Sequence, residues 1–94
     1  MGTDFDSKIN FEEFKKTMAD EIDSADSLDE IKLRLRSQQF VESVELADYL
    51  LKSNPPQRDF IVEFKAEDGL RTKKIVNIYD LGHQKFKLNQ LRNE

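Results

Sequence analysis

The sequence has no cysteine and no tryptophan, and only one histidine, two prolines and three glycines. Without cysteine there is no disulfide framework, no thiolate metal site and no thiol nucleophile, and an intracellular, cytoplasmic home is the expectation. A single histidine cannot serve as both general acid and general base unless a carboxylate helps. No glycine-rich phosphate loop is present. No apolar run approaches the roughly 20 residues of a membrane span. The N-terminus is acidic and polar, unlike a signal peptide. Nothing in this inventory calls for a cofactor.

What is present suits one small domain spanning residues 1–94, with residues 1–9 as a flexible leader. The apolar fraction is 37% and includes seven phenylalanines, enough for one modest core. Net charge is −4 and unevenly spread. Acidic side chains crowd the first thirty residues, and basic ones dominate the last twenty-six. Such polarity can orient a partner in an encounter, or simply reflect one solvated face in each half.

The strongest local signal is residues 59–79, two runs rich in Val, Ile and Phe about Glu67-Asp68-Gly69. This is the composition and punctuation of a β-hairpin. A three-residue loop with Gly69 left-handed pairs Phe60 with Val76, Val62 with Lys74 and Phe64 with Thr72. A two-residue Asp68-Gly69 loop would instead set large apolar side chains beside polar ones. The three-residue register therefore predicts one face of Phe60, Val62, Phe64, Ala66, Leu70, Thr72, Val76 and Ile78. Its reverse carries Ile61, Glu63, Lys65, Arg71, Lys73, Ile75, Asn77 and Tyr79, with Glu63 opposite Lys73. A lone hairpin is marginal in water, so helices must cover the first face.

Asn10-Phe-Glu-Glu13 and Ser27-Leu-Asp-Glu30 read as capping boxes. Phe11, Phe14, Met18 and Ile22 follow the first as one helical stripe, and Leu28, Ile31 and Leu35 follow the second. The alternation of Ile31, Leu33 and Leu35 with Lys32, Arg34 and Arg36 allows an edge strand as a rival. Residues 39–52, with Phe40, Val44, Ala47 and Leu51 in a seam widened by Val41 and Leu50, predict a third helix ended by Ser53-Asn-Pro-Pro56. Asp80-Leu-Gly-His83 reads as a turn. Residues 85–91 read as a third strand with Phe86 and Leu88 on one side, a terminal helix being the alternative. The expected fold class is α+β: three N-terminal helices packed on one face of a small C-terminal antiparallel sheet.

Four chemistries are carried by recognisable residues. Asp4 to Phe14 resembles the latter part of an EF-hand loop and its exiting helix. Asp4 and Asp6 fall on the third and fifth positions and Glu13 on the bidentate twelfth. The pattern departs at Gly2, where the first carboxylate belongs, and at Ser7, where the turn glycine belongs. An acidic leader before a capped helix accounts for the same residues. Three helices followed by a hairpin resemble a winged helix, with Lys65, Arg71, Lys73 and Lys74 flanking the wing. Yet the segment that would enter the groove shows Glu42, Glu45 and Asp48, so phosphates would repel it. Asp20, Glu21, Asp23, Asp26, Asp29 and Glu30 cluster at the first interhelical turn and could imitate phosphates, or be solvated helix ends. His83, with Asp80 nearby, is the sole catalytic candidate, and it lacks a companion nucleophile.

The preferred expectation is a small non-enzymatic interaction module, an adaptor, inhibitor or regulator. Its surface is the outer sheet face, with Ile61, Ile75 and Tyr79 among Lys65, Arg71, Lys73 and Lys87, or an exposed edge strand. An apolar centre ringed by charge is the pattern of an interaction surface. The partner would be another protein or a second copy, with nucleic acid as the alternative and no membrane.

Overall fold

The structure, a computed structural model, describes residues 9–94. Among these residues the chain forms two helices and then four strands. Helix α1 spans Phe11–Asp23 and α2 spans Leu28–Arg36. The strands are β1 Val41–Leu46, β2 Gln57–Lys65, β3 Arg71–Gly82 and β4 Lys85–Asn93. They lie in chain order in one sheet, every neighbouring pair antiparallel. The α+β class holds, with two described helices and four strands in place of three helices and a three-stranded sheet.

Both helices start where their caps place them. Asn10 Oδ1 accepts from the Glu13 N–H at 3.0 Å. Ser27 Oγ accepts from the Glu30 N–H at 3.1 Å, and Glu30 Oε1 accepts from the Asp26 N–H at 3.0 Å. The bonds from the Glu13 and Glu30 N–H groups satisfy donors that the first helical turn leaves without a partner, and the Asp26 bond ties the preceding residue back to that turn. The stripes Phe14, Met18, Ile22 and Ile31, Leu35 are buried together with Phe60, Val62, Phe64, Val76, Ile78 and Phe86. Phe64 is the centre of this layer, meeting Phe11 and Phe14 edge to face, each at 5.1 Å between centroids. Edge-to-face pairing sets the positive rim of one ring on the negative face of the other.

The hairpin follows the three-residue register. Phe60 pairs with Val76, Val62 with Lys74, Glu63 with Lys73 and Phe64 with Thr72. Gly69 sits at φ +92°, and Ala66 N–H donates to Leu70 O at 2.8 Å across the turn. Phe60 and Phe64 are wholly buried, whereas Leu70, expected on the same face, is 44% exposed, because it stands in the turn just before β3 begins. The interior face is therefore the one that glycine's left-handed corner selects.

Residues 39–52 are not a helix. They are strand β1 followed by an irregular connection, tied by the Leu51–Gln57 bridge. The physical reason is a bulge. Val41 pairs with Phe64 and Ser43 with Glu63, which leaves Glu42 as an extra residue. The bulge puts Val41 and Val44 on the same face although they are three residues apart, so a strand imitates the spacing of a helix. Phe40, at φ +72°, breaks any helical entry.

Two smaller corrections concern the ends. The last strand runs through Lys85–Asn93, longer than residues 85–91, and β3 continues to Gly82. The turn falls on His83 and Gln84, at φ +55° and +62°, rather than on residues 80–83. Ile9, expected in the leader, is buried in the core. Residues 1–8 lie outside the described residues.

Candidate interaction surface

Alternation in a strand sends successive side chains to opposite faces. The helices cover the face of Phe60, Val62 and Phe64, so the reverse face belongs to Ile61, Glu63, Lys65, Arg71, Lys73, Ile75 and Tyr79. Ile61 and Ile75 are cross-strand partners and both are half-buried. Lys87 joins them through its pairing with Tyr79. All seven residues singled out in the sequence thus lie on one sheet face. A row runs across it from strand to strand: Glu45, Ile61, Ile75, Arg92. The adjacent row holds Ser43, Glu63 and Lys73.

Charges on this face are matched only in part. Arg71 lies 3.7 Å from Glu42 and 3.7 Å from Glu63. Lys65, Lys73 and Lys87 make no ion pair with described residues. Lys74, grouped in the sequence with the hairpin's flanking cations, points to the helix side. Its Nζ stands 4.4 Å from the centre of the Phe11 ring and donates to Asn93 Oδ1 at 2.6 Å. Among the described residues the three-helix frame of a winged helix is missing as well, because residues 39–52 are not helical.

One part of the face was not foreseen. Asp59, the third residue of β2, belongs to the uncovered side, yet it is fully buried. Its Oδ1 accepts from Asn77 Nδ2 at 2.7 Å. Its Oδ2 accepts from Tyr49 Oη at 2.8 Å and from Arg92 Nη2 at 2.9 Å. Asn77 Oδ1 in turn accepts from Asn89 Nδ2 at 2.8 Å. Asn89 is the extra residue of a β4 bulge, between the Asn77–Gln90 and Ile78–Leu88 pairs. Among the described residues no buried side-chain nitrogen or oxygen lacks a hydrogen bond.

This network decides the protonation of its members. Burial alone would raise the Asp59 carboxyl. The hydrogen bonds from Asn77 and Tyr49 and the charge of Arg92 outweigh it, and the net shift is downward. Donating to that carboxylate holds the Tyr49 hydroxyl above its ordinary value, and burial adds to the effect. Asp59 is therefore an anion that anchors two large side chains over the sheet. Tyr49 is 44% exposed and the Arg92 side chain 37% exposed, so each is half seated and half presented.

The signal for Asp59 was present in the sequence, since aspartate is depleted in strands and the hairpin register puts it opposite Asn77. Tyr49 and Arg92 carried no such signal, because their contacts depend on an irregular connection and on the last strand.

The other candidates stand apart. Asp4 and Asp6 lie outside the described residues, and Glu13 is exposed at the start of α1. Among the described residues no three His, Asp or Glu side chains gather as a metal-ligand set. His83 is exposed in the β3–β4 turn, and Asp80 Oδ1 accepts from the Gly82 N–H at 2.9 Å. Two of the acidic residues at the helix junction, Glu21 and Glu30, pair with Arg34. Its guanidinium donates to Glu21 O and Ser24 Oγ, both at 2.6 Å, and to Glu30 Oε2 at 2.7 Å. Glu30 titrates below its usual range, first because it accepts the Asp26 N–H and also because of Arg34. No described helix is long and apolar enough to cross a membrane.

The fold and face define a two-layer α+β domain with an antiparallel meander open on one side. Comparison with known proteins adds no relative: no family, no curated protein and no solved structure matches the chain.

Proposed function

We propose that this protein is a non-enzymatic interaction module that binds a protein surface through the open face of its sheet. The observation that carries the reading is the concentration of anchor residues there. Tyr49 and Arg92 are held on one buried carboxylate, beside the Ile61–Ile75 pair and Tyr79. Tyrosine and arginine supply much of the binding energy at protein interfaces, and side chains held rigid before binding lose less entropy on it. Half-buried isoleucines at the centre, with charge at the rim, complete that pattern.

Site-specific photo-cross-linking in cells tests it. A benzophenone amino acid at position 75 should give a discrete adduct, and the same probe at the exposed Lys16 on α1 should not. Equal adducts from both positions, or none from position 75, would overturn the proposal.

A further inference from the structure

We infer that the partner on this face is a second copy of the chain, stacked sheet to sheet about a twofold axis. The axis runs parallel to the strands, between β2 and β3. The inference rests on the sheet-face reading and names its occupant.

The argument is one of register. A twofold axis in that position lays β1 of one copy over β4 of the other, and β2 over β3. The row Glu45, Ile61, Ile75, Arg92 is then met by itself in reverse. Glu45 faces Arg92 of the second copy, Ile61 faces Ile75, and each contact occurs twice. The adjacent row brings Glu63 over Lys73 of the second copy, again twice. The face can do this because its charges are sorted by strand. Glu42, Glu45, Asp59 and Glu63 lie on β1 and β2, whereas Arg71, Lys73, Lys87 and Arg92 lie on β3 and β4. Lys65 is the exception, and it would meet Arg71, which Glu42 and Glu63 already hold.

A twofold axis across the strands would instead set β1 on β1 and β4 on β4, acid on acid and base on base. Pairing through two β4 edges would bring their lysines together. Sheets stacked face to face keep their strands within about 30° of each other, so rows near the axis stay in register. Four strands of 6, 9, 12 and 9 residues, about 4.8 Å apart, present about 600 Å² per copy. That is the small end of specific interfaces, so the dimer should dissociate in about the micromolar range or above.

Sedimentation velocity on the whole chain, from about 1 μM to about 1 mM, tests this. Wild type should shift from monomer to dimer. Glu63→Lys and Lys73→Glu should each weaken the dimer at least about tenfold, because each sets like charges face to face. An equimolar mixture of the two variants should recover dimer, since each then supplies the charge the other lacks. Circular dichroism checks that both variants are folded.

Wild type that dimerises while neither reversal matters, or variants that the mixture does not rescue, would overturn the inference. A wild type monomeric throughout would also overturn it. The adduct mass at position 75 then separates the two proposals. Twice the chain mass supports the second copy. A different partner mass keeps the sheet-face reading and removes the dimer. No adduct removes both.

Discussion

Arg92 Nη2 lies 2.9 Å from Asp59 Oδ2, although 33 residues separate them in the chain. The bond ties the last strand to the first strand of the hairpin, and Tyr49 adds the irregular β1–β2 connection through the same oxygen. Asp59→Ala would leave Asn77, Tyr49 and Arg92 without their acceptor. The expected loss is about 3 kcal/mol, against about 1 kcal/mol for Tyr49→Phe, which removes one hydrogen bond. Urea denaturation measures both. Equal, small losses would show that Asp59 is not the hub.

The same carboxylate sets the acid limit of stability. Asp59 gives up its proton more readily when folded, so its contribution is complete above the unfolded value of about 3.9. It is lost as pH falls through the lower, folded value. Tyr49 works in the opposite sense. It holds its proton more tightly when folded, so its contribution is complete below about pH 10 and lost as pH rises through the raised value. Melting temperature against pH should show both limbs. Asp59→Asn should flatten both, and Tyr49→Phe the alkaline one. Glu30, also shifted downward, shares the acid window, so Glu30→Gln serves as the control.

The two hairpin turns should respond in opposite directions. At Gly69 an added Cβ meets nothing within 4 Å, so Gly69→Ala suffers only the backbone penalty of φ +92°, about 1 kcal/mol. His83 and Gln84 already carry that kind of penalty, as non-glycine residues at φ +55° and +62°. The double change His83→Asn with Gln84→Gly supplies the favoured residues for such a turn and should stabilise by about 1 kcal/mol. For a chain of this size that raises the melting temperature by about 4–8 °C.

Arg34 joins the two helices by donating to the backbone of Glu21, to Ser24 and to Glu30. Arg34→Ala should cost about 1–2 kcal/mol, because it also leaves the surrounding carboxylates to repel one another. Arg34→Lys should recover less than half of that, since an ammonium cannot span the three acceptors as a planar guanidinium does. Thermal melts at low and high salt would check both the size and the electrostatic origin.

Legibility in the sequence followed the range of the contacts. The caps at Asn10 and Ser27, the stripe from Phe14 to Ile22 and the corner at Gly69 are local matters, decided within a few residues. They led correctly to α1, α2, the hairpin register and the shared face of Ile61, Ile75, Tyr79 and the lysines. Residues 39–52 misled because the β1 bulge spaces Val41 and Val44 as a helix would. Only the ladder to β2 distinguishes the two conformations, and that partner lies beyond the reach of any periodicity.

Local chemistry in the chain thus determined which side of the hairpin is buried, because glycine alone accepts the corner without strain and burial forbids a one-residue slip. Tertiary structure alone decided what crowns the other side. Tyr49, Asp59, Asn77, Asn89 and Arg92 come from four separate segments, and a buried carboxylate becomes tolerable only once all its donors have been brought to it.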